Sequence, residues 1–186
     1  MKSPTCFIVA PIGERYNHTR DFGGVDFIVS TSIEDHTVSN RMAEVLEVPI
    51  DYAGPVEVGD TLLVHHNVFK FYYDTGGSRR SGRSFLRGNV FLVDPDQFFM
   101  YKKNGQWVAH DRYCFVRPVR SDGSIVEGSS EDSGLVGEMV YPSASLLRSG
   151  VSPGQRVVFT PHSQYCFEVD GETLYRVFDH QIAIKL

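Results

Sequence analysis

Apolar and aromatic residues along this chain come in short bursts, TCFIVAPI, AEVLEV, DTLLVHH, FKFYY, NVFLV and FFMYK among them, each broken by Gly, Pro, Asp or Ser. Runs this short, rich in β-branched and aromatic side chains, predict strands, because those side chains fit a pleated, half-buried surface. Helical periodicity is scarce. The stretch YPSASLLRSG, residues 141–150, predicts no more than a turn or a short helix closed by Gly150. Many short strands with frequent turn signals predict an all-β protein, either barrel or sandwich.

The pattern also repeats. CFIVAPI (6–12) aligns with YCFVRPV (113–119), with Pro11 over Pro118 at an offset of 107, and AEVLEVP (43–49) with GEMVYP (137–142), with Glu44 over Glu138 at 94. VEVGDTLLV (56–64) aligns with VSPGQRVVF (151–159), with Gly59 over Gly154 at 95, and VFLVDPDQFFMY (90–101) with LYRVFDHQIAIK (174–185), with Gln97 over Gln181 at 84. Four blocks in one order point to a tandem duplication. Repeat one spans 1–108 and repeat two 109–186, joined through KKNGQWVAHD. Repeat one is longer because residues 75–88 form an inserted loop where repeat two has only the hairpin turn DGE.

In both repeats a glycine, Gly59 or Gly154, stands between a polar stretch and an apolar strand, where a tight turn needs positive φ. A phosphate-binding role does not fit, since no helix N-terminus follows. His65 and His66, at the end of the third block, look like a metal pair. Their counterparts are Thr160 and Pro161, and neighbouring strand residues face opposite ways, so we expect no metal here.

Composition narrows the class. With 41% hydrophobic and 22% charged residues the chain is of ordinary globular type, and no apolar run approaches the roughly 20 residues a membrane span needs. MKSPTCFIVAPIGE lacks the form of a signal peptide, and Cys6, Cys114 and Cys166 lack CxxC spacing and lie in apolar segments typical of buried free thiols, so a cytoplasmic location is expected. A net charge of -5 argues against a nucleic-acid binder. The insert carries Arg79, Arg80, Arg83 and Arg87 with Phe85 as its one aromatic residue, which predicts a solvated, flexible cationic loop. HExxH, GxSxG, P-loop and CxxC motifs are all missing, so no enzyme and no cofactor is expected.

The stretch RDFGGVDFIVSTSIEDHTVSN, 20–40, is the strongest functional candidate. Gly23 and Gly24 loosen the backbone ahead of Val25, Phe27, Ile28 and Val29, and a polar run that cannot form a core follows. A loose tether with a compact apolar group suits a segment that orders in a partner's groove, trading affinity for reversibility. The alternative is an ordinary strand, FIVST, packed in the barrel. In repeat two the matching loop offers Ile125 and Val126 before Glu127, and burying that carboxylate in an apolar groove is unfavourable, so it is the weaker contact.

The ordered set of an opening strand with proline (FIVAPI, FVRPV), a glycine-containing loop, AEVL or GEMV, VEVGDTLLV or GVSPGQRVVF, and a closing apolar strand resembles the GroES-like co-chaperonins, twice over and across nearly the whole chain. The resemblance implies two tandem GroES-like small β-barrels with long loops. It implies a lid that caps a chaperonin ring and encloses unfolded client proteins while the partner hydrolyses ATP. Phe27, Ile28 and Val29 would stand for the Gly-Gly-apolar tripeptide that binds the chaperonin, though Val25 and Asp26 add two residues of spacing. A homo-oligomeric ring is implied, with two domains per chain set against the family's sevenfold lid. The same fold serves zinc-dependent alcohol dehydrogenases, but here the duplication leaves no room for their nucleotide domain. The competing class is a structural or assembly protein, for example of a virus particle, built on the same duplicated barrel.

Overall fold

The computed structural model describes residues 2–15, 19–21, 26–28, 40–119 and 135–186. Its regular structure is almost all strand: β1 (Phe7–Pro11), β2 (Thr19–Asp21), β3 (Asp26–Ile28), β4 (Met42–Glu47), β5 (Thr61–Val64), β6 (Phe71–Tyr73), β7 (Arg79–Ser81), β8 (Phe85–Arg87), β9 (Val90–Val93), β10 (Phe98–Lys103), β11 (Gln106–Ala109), β12 (Tyr113–Pro118), β13 (Val136–Tyr141), β14 (Arg156–Phe159), β15 (Tyr165–Val169), β16 (Glu172–Phe178) and β17 (Ile182–Lys185). A single short α-helix, α1 (Ala144–Arg148), is found among the described residues, within the stretch of weak helical signal. The Ser143 hydroxyl caps it, accepting from the Leu146 N–H at 3.2 Å, and Gly150 ends it at φ 81°.

The chain divides into two compact units, Met1–Gln106 and Trp107–Leu186. The first principal sheet has seven strands, six of which lie in unit 1 in the order β10-β5-β4-β1-β9-β8. The second has six, in unit 2, in the order β17-β14-β13-β12-β16-β15. Pairing is antiparallel throughout. Two more sheets have two strands each, β2-β3 and β6-β7. Both principal sheets are open orders of strands, and no closed barrel is found among the described residues.

The two units share one strand plan, and their registers agree at the four offsets read from the sequence. Pro11 pairs with Ala43 and Ala10 with Glu44; Pro118 pairs with Gly137 and Arg117 with Glu138. A bulge falls between Ile8 and Val9 in one unit and between Phe115 and Val116 in the other. Met100 pairs with Leu63 as Ile184 pairs with Val158, again with a bulge at the matching place. Turns follow the same rule. The Gly59 N–H donates to the Val45 carbonyl at 2.8 Å and the Gly154 N–H to the Met139 carbonyl at 2.8 Å, with both glycines at positive φ, 91° and 83°.

Sequence identity between the units is low because burial, not residue type, is what the shared plan keeps. Phe7, Val9, Val45, Leu62, Val64 and Val93 are buried in unit 1; their counterparts Cys114, Val116, Met139, Val157, Phe159 and Val177 are buried in unit 2. A smaller Cys114 is offset by a larger Met139 and Phe159, the volume exchange that packed cores tolerate best. Ring pairs tighten the first core, with Phe7 edge-on to Phe98 at 5.3 Å and Phe69 to Phe91 at 5.0 Å.

Several expectations need correction. The extra chain of unit 1 lies earlier than 75–88: residues 85–87 are β8, paired with β9 much as β15 pairs with β16, so the excursion is the ribbon β6-β7. That excursion is an ordered hairpin. FKFYY is strand only from Phe71, because Val68 and Lys70 donate backwards to His65 and Asn67 in consecutive turns. Of the three thiols only Cys114 is buried; Cys6 is half-buried and Cys166 is exposed on edge strand β15, where alternation turns it outward.

Candidate partner-binding loop

The chain between β1 and β4 is far longer than the fold requires, since those two strands pair directly and a two-residue turn can join such neighbours. Within it lies the ribbon β2-β3, with Thr19 opposite Ile28, Arg20 opposite Phe27 and Asp21 opposite Asp26. Phe27 and Ile28 therefore stand on the returning strand of a hairpin belonging to no larger sheet. A two-stranded ribbon is marginally stable by itself, and like charges placed opposite each other weaken it further. Gly23, Gly24, Val25 and Val29 lie outside the described residues, as do Ile125 and Val126.

Sequence reasoning missed the device at the root of this loop, Arg15 and Asn40. The Asn40 amide nitrogen donates to the carbonyls of Ile12 and Glu14, both at 2.7 Å, its amide oxygen accepts from the Met42 N–H at 2.8 Å, and its own N–H donates to the Arg15 carbonyl at 3.1 Å. Asn40 is 7% exposed, so satisfying every polar atom matters. The Arg15 guanidinium reaches across to the Phe69 carbonyl, at 3.0 Å from Nε and 2.7 Å from Nη2, and to the Lys70 carbonyl at 3.2 Å. It also lies over the rings of Phe91 and Phe71, 4.8 and 5.2 Å from their centroids. A charged group with such partners fixes where the loop leaves the sheet. Its partners are backbone carbonyls more than fifty residues away, so no local motif announces them.

Unit 2 anchors its equivalent loop differently. Beyond β12 the Val119 N–H donates to the Val136 carbonyl at 3.3 Å, and Arg117 forms ion pairs with Glu138, at 2.9 Å, and with Glu172. These carboxylates, Glu172 foremost, raise the Arg117 pKa. All three side chains are substantially exposed, so the pairs add little stability.

His65 and His66 lie just past the end of β5, where the chain enters a turn. Their rings are 4.1 Å apart and tilted, and His65 Nδ1 accepts from the Asn67 N–H at 3.2 Å. Among the described residues no group of three or more His, Cys, Asp or Glu is placed to hold a metal ion, and no helix is long and apolar enough to cross a membrane. Burial pushes the Cys114 thiol up to about 12, with the Asp179 carboxylate adding to it. A cleft of about 500 Å³ in unit 1 lies beside Arg15 and β8, away from the histidines. Neither a family model nor a curated protein matches this chain.

Proposed function

We propose that this chain is a cytoplasmic double-domain co-chaperonin, two tandem GroES-like small barrels that cap a chaperonin ring and enclose unfolded clients. The carrying observation is the β1–β4 connection: an apolar-bearing ribbon inserted between directly paired strands and rooted by Arg15 and Asn40. A rigid root with a weak ribbon beyond it limits the entropy lost on docking to the segment that makes contact. On this reading Phe27, Ile28 and Val29 enter the partner's groove, with Ile125 and Val126 of unit 2 contributing less. The chain itself does no chemistry; nucleotide hydrolysis belongs to the partner, and copies assemble into a ring.

The competing reading, an assembly protein reusing the same scaffold, draws on the arginine-bearing excursion, which a plain lid does not need. Capture on an immobilised chaperonin with ATP, comparing the protein with the double variant Phe27→Asp, Ile28→Asp, separates the two. The lid requires capture of the first and loss of the second. No capture of the unaltered protein would sink it.

A further inference from the structure

The excursion β6-β7 is unexplained by the strand plan, because unit 2 passes from β14 to β15 without it. Its charge is unlike the rest of the chain. Residues 70–87 carry Lys70, Arg79, Arg80, Arg83 and Arg87 against Asp74 alone, a net of +4, so the remainder of this -5 chain carries -9. Such segregation concentrates a positive field on one ribbon of an acidic protein.

The ribbon is built to hold its shape. Asp74 Oδ1 accepts from the N–H groups of Gly76 and Ser78 at 3.0 and 2.9 Å, Gly77 takes φ 76°, and the turn closes through Asp74 N–H to the Ser78 carbonyl at 3.0 Å. Hydrogen bonds from Ser78, Arg80 and Gly76 keep the Asp74 pKa below the usual carboxylate value, Ser78 contributing most. At its base the Gly82 N–H donates to the Lys70 carbonyl at 2.8 Å, and a side chain there would meet that oxygen at 3.0 Å.

Register supplies what the sequence hid. In the register of the ribbon the arginines of β7 lie opposite aromatic positions of β6, Arg80 opposite Tyr72 and Arg79 opposite Tyr73, so the ribbon adds two aromatic positions to the Phe85 of residues 75–88. Beyond β7, Arg83 and Arg87 are exposed, and among the described residues neither has an ion-pair partner. Arg80 is paired with Asp74 at 2.9 Å but is 62% exposed, a surface pair that competes weakly with phosphate. Alongside runs the cleft of about 500 Å³, polar in lining, with Ser81, Asn89 and Glu14 on its walls and the ring of Phe85, 37% exposed, facing it.

We propose that this ribbon and cleft bind single-stranded nucleic acid, with phosphates against Arg80, Arg83 and Arg87 and a base on the ring of Phe85. Cationic side chains beside aromatic rings are what an unpaired strand needs, charge for its backbone and a flat surface for its bases. An acidic polypeptide would use the charge but not the ring. The proposed contacts, Arg80, Arg83, Arg87 and Phe85, lie outside the loop assigned to the chaperonin, although Arg15 at that loop's root also lines the cleft.

Fluorescence anisotropy with a labelled oligothymidylate of about 20 nucleotides tests it on the full chain. Binding is expected at about 50 mM salt and weakens with salt, with a log–log slope of about -0.7 per phosphate contacted. Arg83→Glu with Arg87→Glu lowers affinity roughly tenfold or more and flattens the slope by about 1 to 1.5. Phe85→Ala lowers affinity about fivefold or more and leaves the slope unchanged. Both variants change exposed side chains, and circular dichroism confirms their fold. No binding at low salt overturns the proposal, as does unaltered binding by the arginine variant. Competition by polyglutamate as strong as by oligothymidylate, with Phe85→Ala indifferent, overturns it in favour of an acidic protein surface.

Discussion

Units 1 and 2 solve the same folding problem with different residues. Strand order, bulge positions and glycine turns coincide, while the connection after the opening strand, the excursion before β8 and the exposure of the closing strand differ. What coincides is what an antiparallel ladder demands: register, positive φ at turns, and burial on one face. What differs lies on loops and edges, where the ladder imposes nothing and a binding role has room to develop. Both proposals made for this chain rest on unit 1's additions.

The largest contrast lies in the closing strands. Met100 is fully buried, whereas Ile184, at the matching position, is 54% exposed. Met100→Ala should therefore destabilise by about 2–5 kcal/mol in denaturant unfolding, and Ile184→Ala by less than about 1 kcal/mol. Equal losses would break the comparison. Next come the glycine turns, where the units should behave alike. Gly59→Ala and Gly154→Ala each force a Cβ into left-handed backbone and should cost about 1–2 kcal/mol apiece, since both positions have nothing within 4 Å and only φ is at stake. A large difference between them would mean that the turns are not equivalent.

The smallest effect distinguishes the units by pH. Asp179, in unit 2, occupies the place of Pro95 in unit 1, at the first residue of the 3-10 turn that precedes each closing strand. Burial works to raise its pKa, but hydrogen bonds from Ser145 at 2.6 Å, Arg112 at 3.1 Å and the His180 N–H at 2.7 Å outweigh it, leaving the pKa below the ordinary 3.8. A lowered folded pKa means that the stabilisation is fully present above 3.8 and fades as pH falls through the folded value. Asp179→Asn should lower the melting temperature at pH 7 and narrow the gap from the unaltered protein as the buffer is acidified below 3.8. A gap that stays constant with pH would contradict the assignment.

The strand plan was legible in the sequence because its markers are local: prolines ending opening strands, glycines at turns, and a glutamine whose side chain binds back to the residue three before it, Gln97 to Asp94 and Gln181 to Phe178. Barrel closure was an inference from resemblance, and the strands found form open orders. The loop root stayed hidden because Arg15 and Asn40 bind backbone carbonyls, which carry no residue signature. FKFYY predicts a strand, but its pairing with Arg79 and Arg80 stayed hidden, because cross-strand register carries no local sequence signal. Exposure of Cys166 depended on which face of β15 meets the core, which a one-residue shift would have reversed.

Side-by-side capture on a chaperonin with ATP, of the unaltered protein, Phe27→Asp with Ile28→Asp, and Ile125→Asp with Val126→Asp, tests the assignment of function to unit 1 most directly. The account predicts capture of the unaltered protein and of the unit 2 variant, with loss confined to the unit 1 variant. Loss confined to the unit 2 variant, or no capture of any of the three, would contradict it.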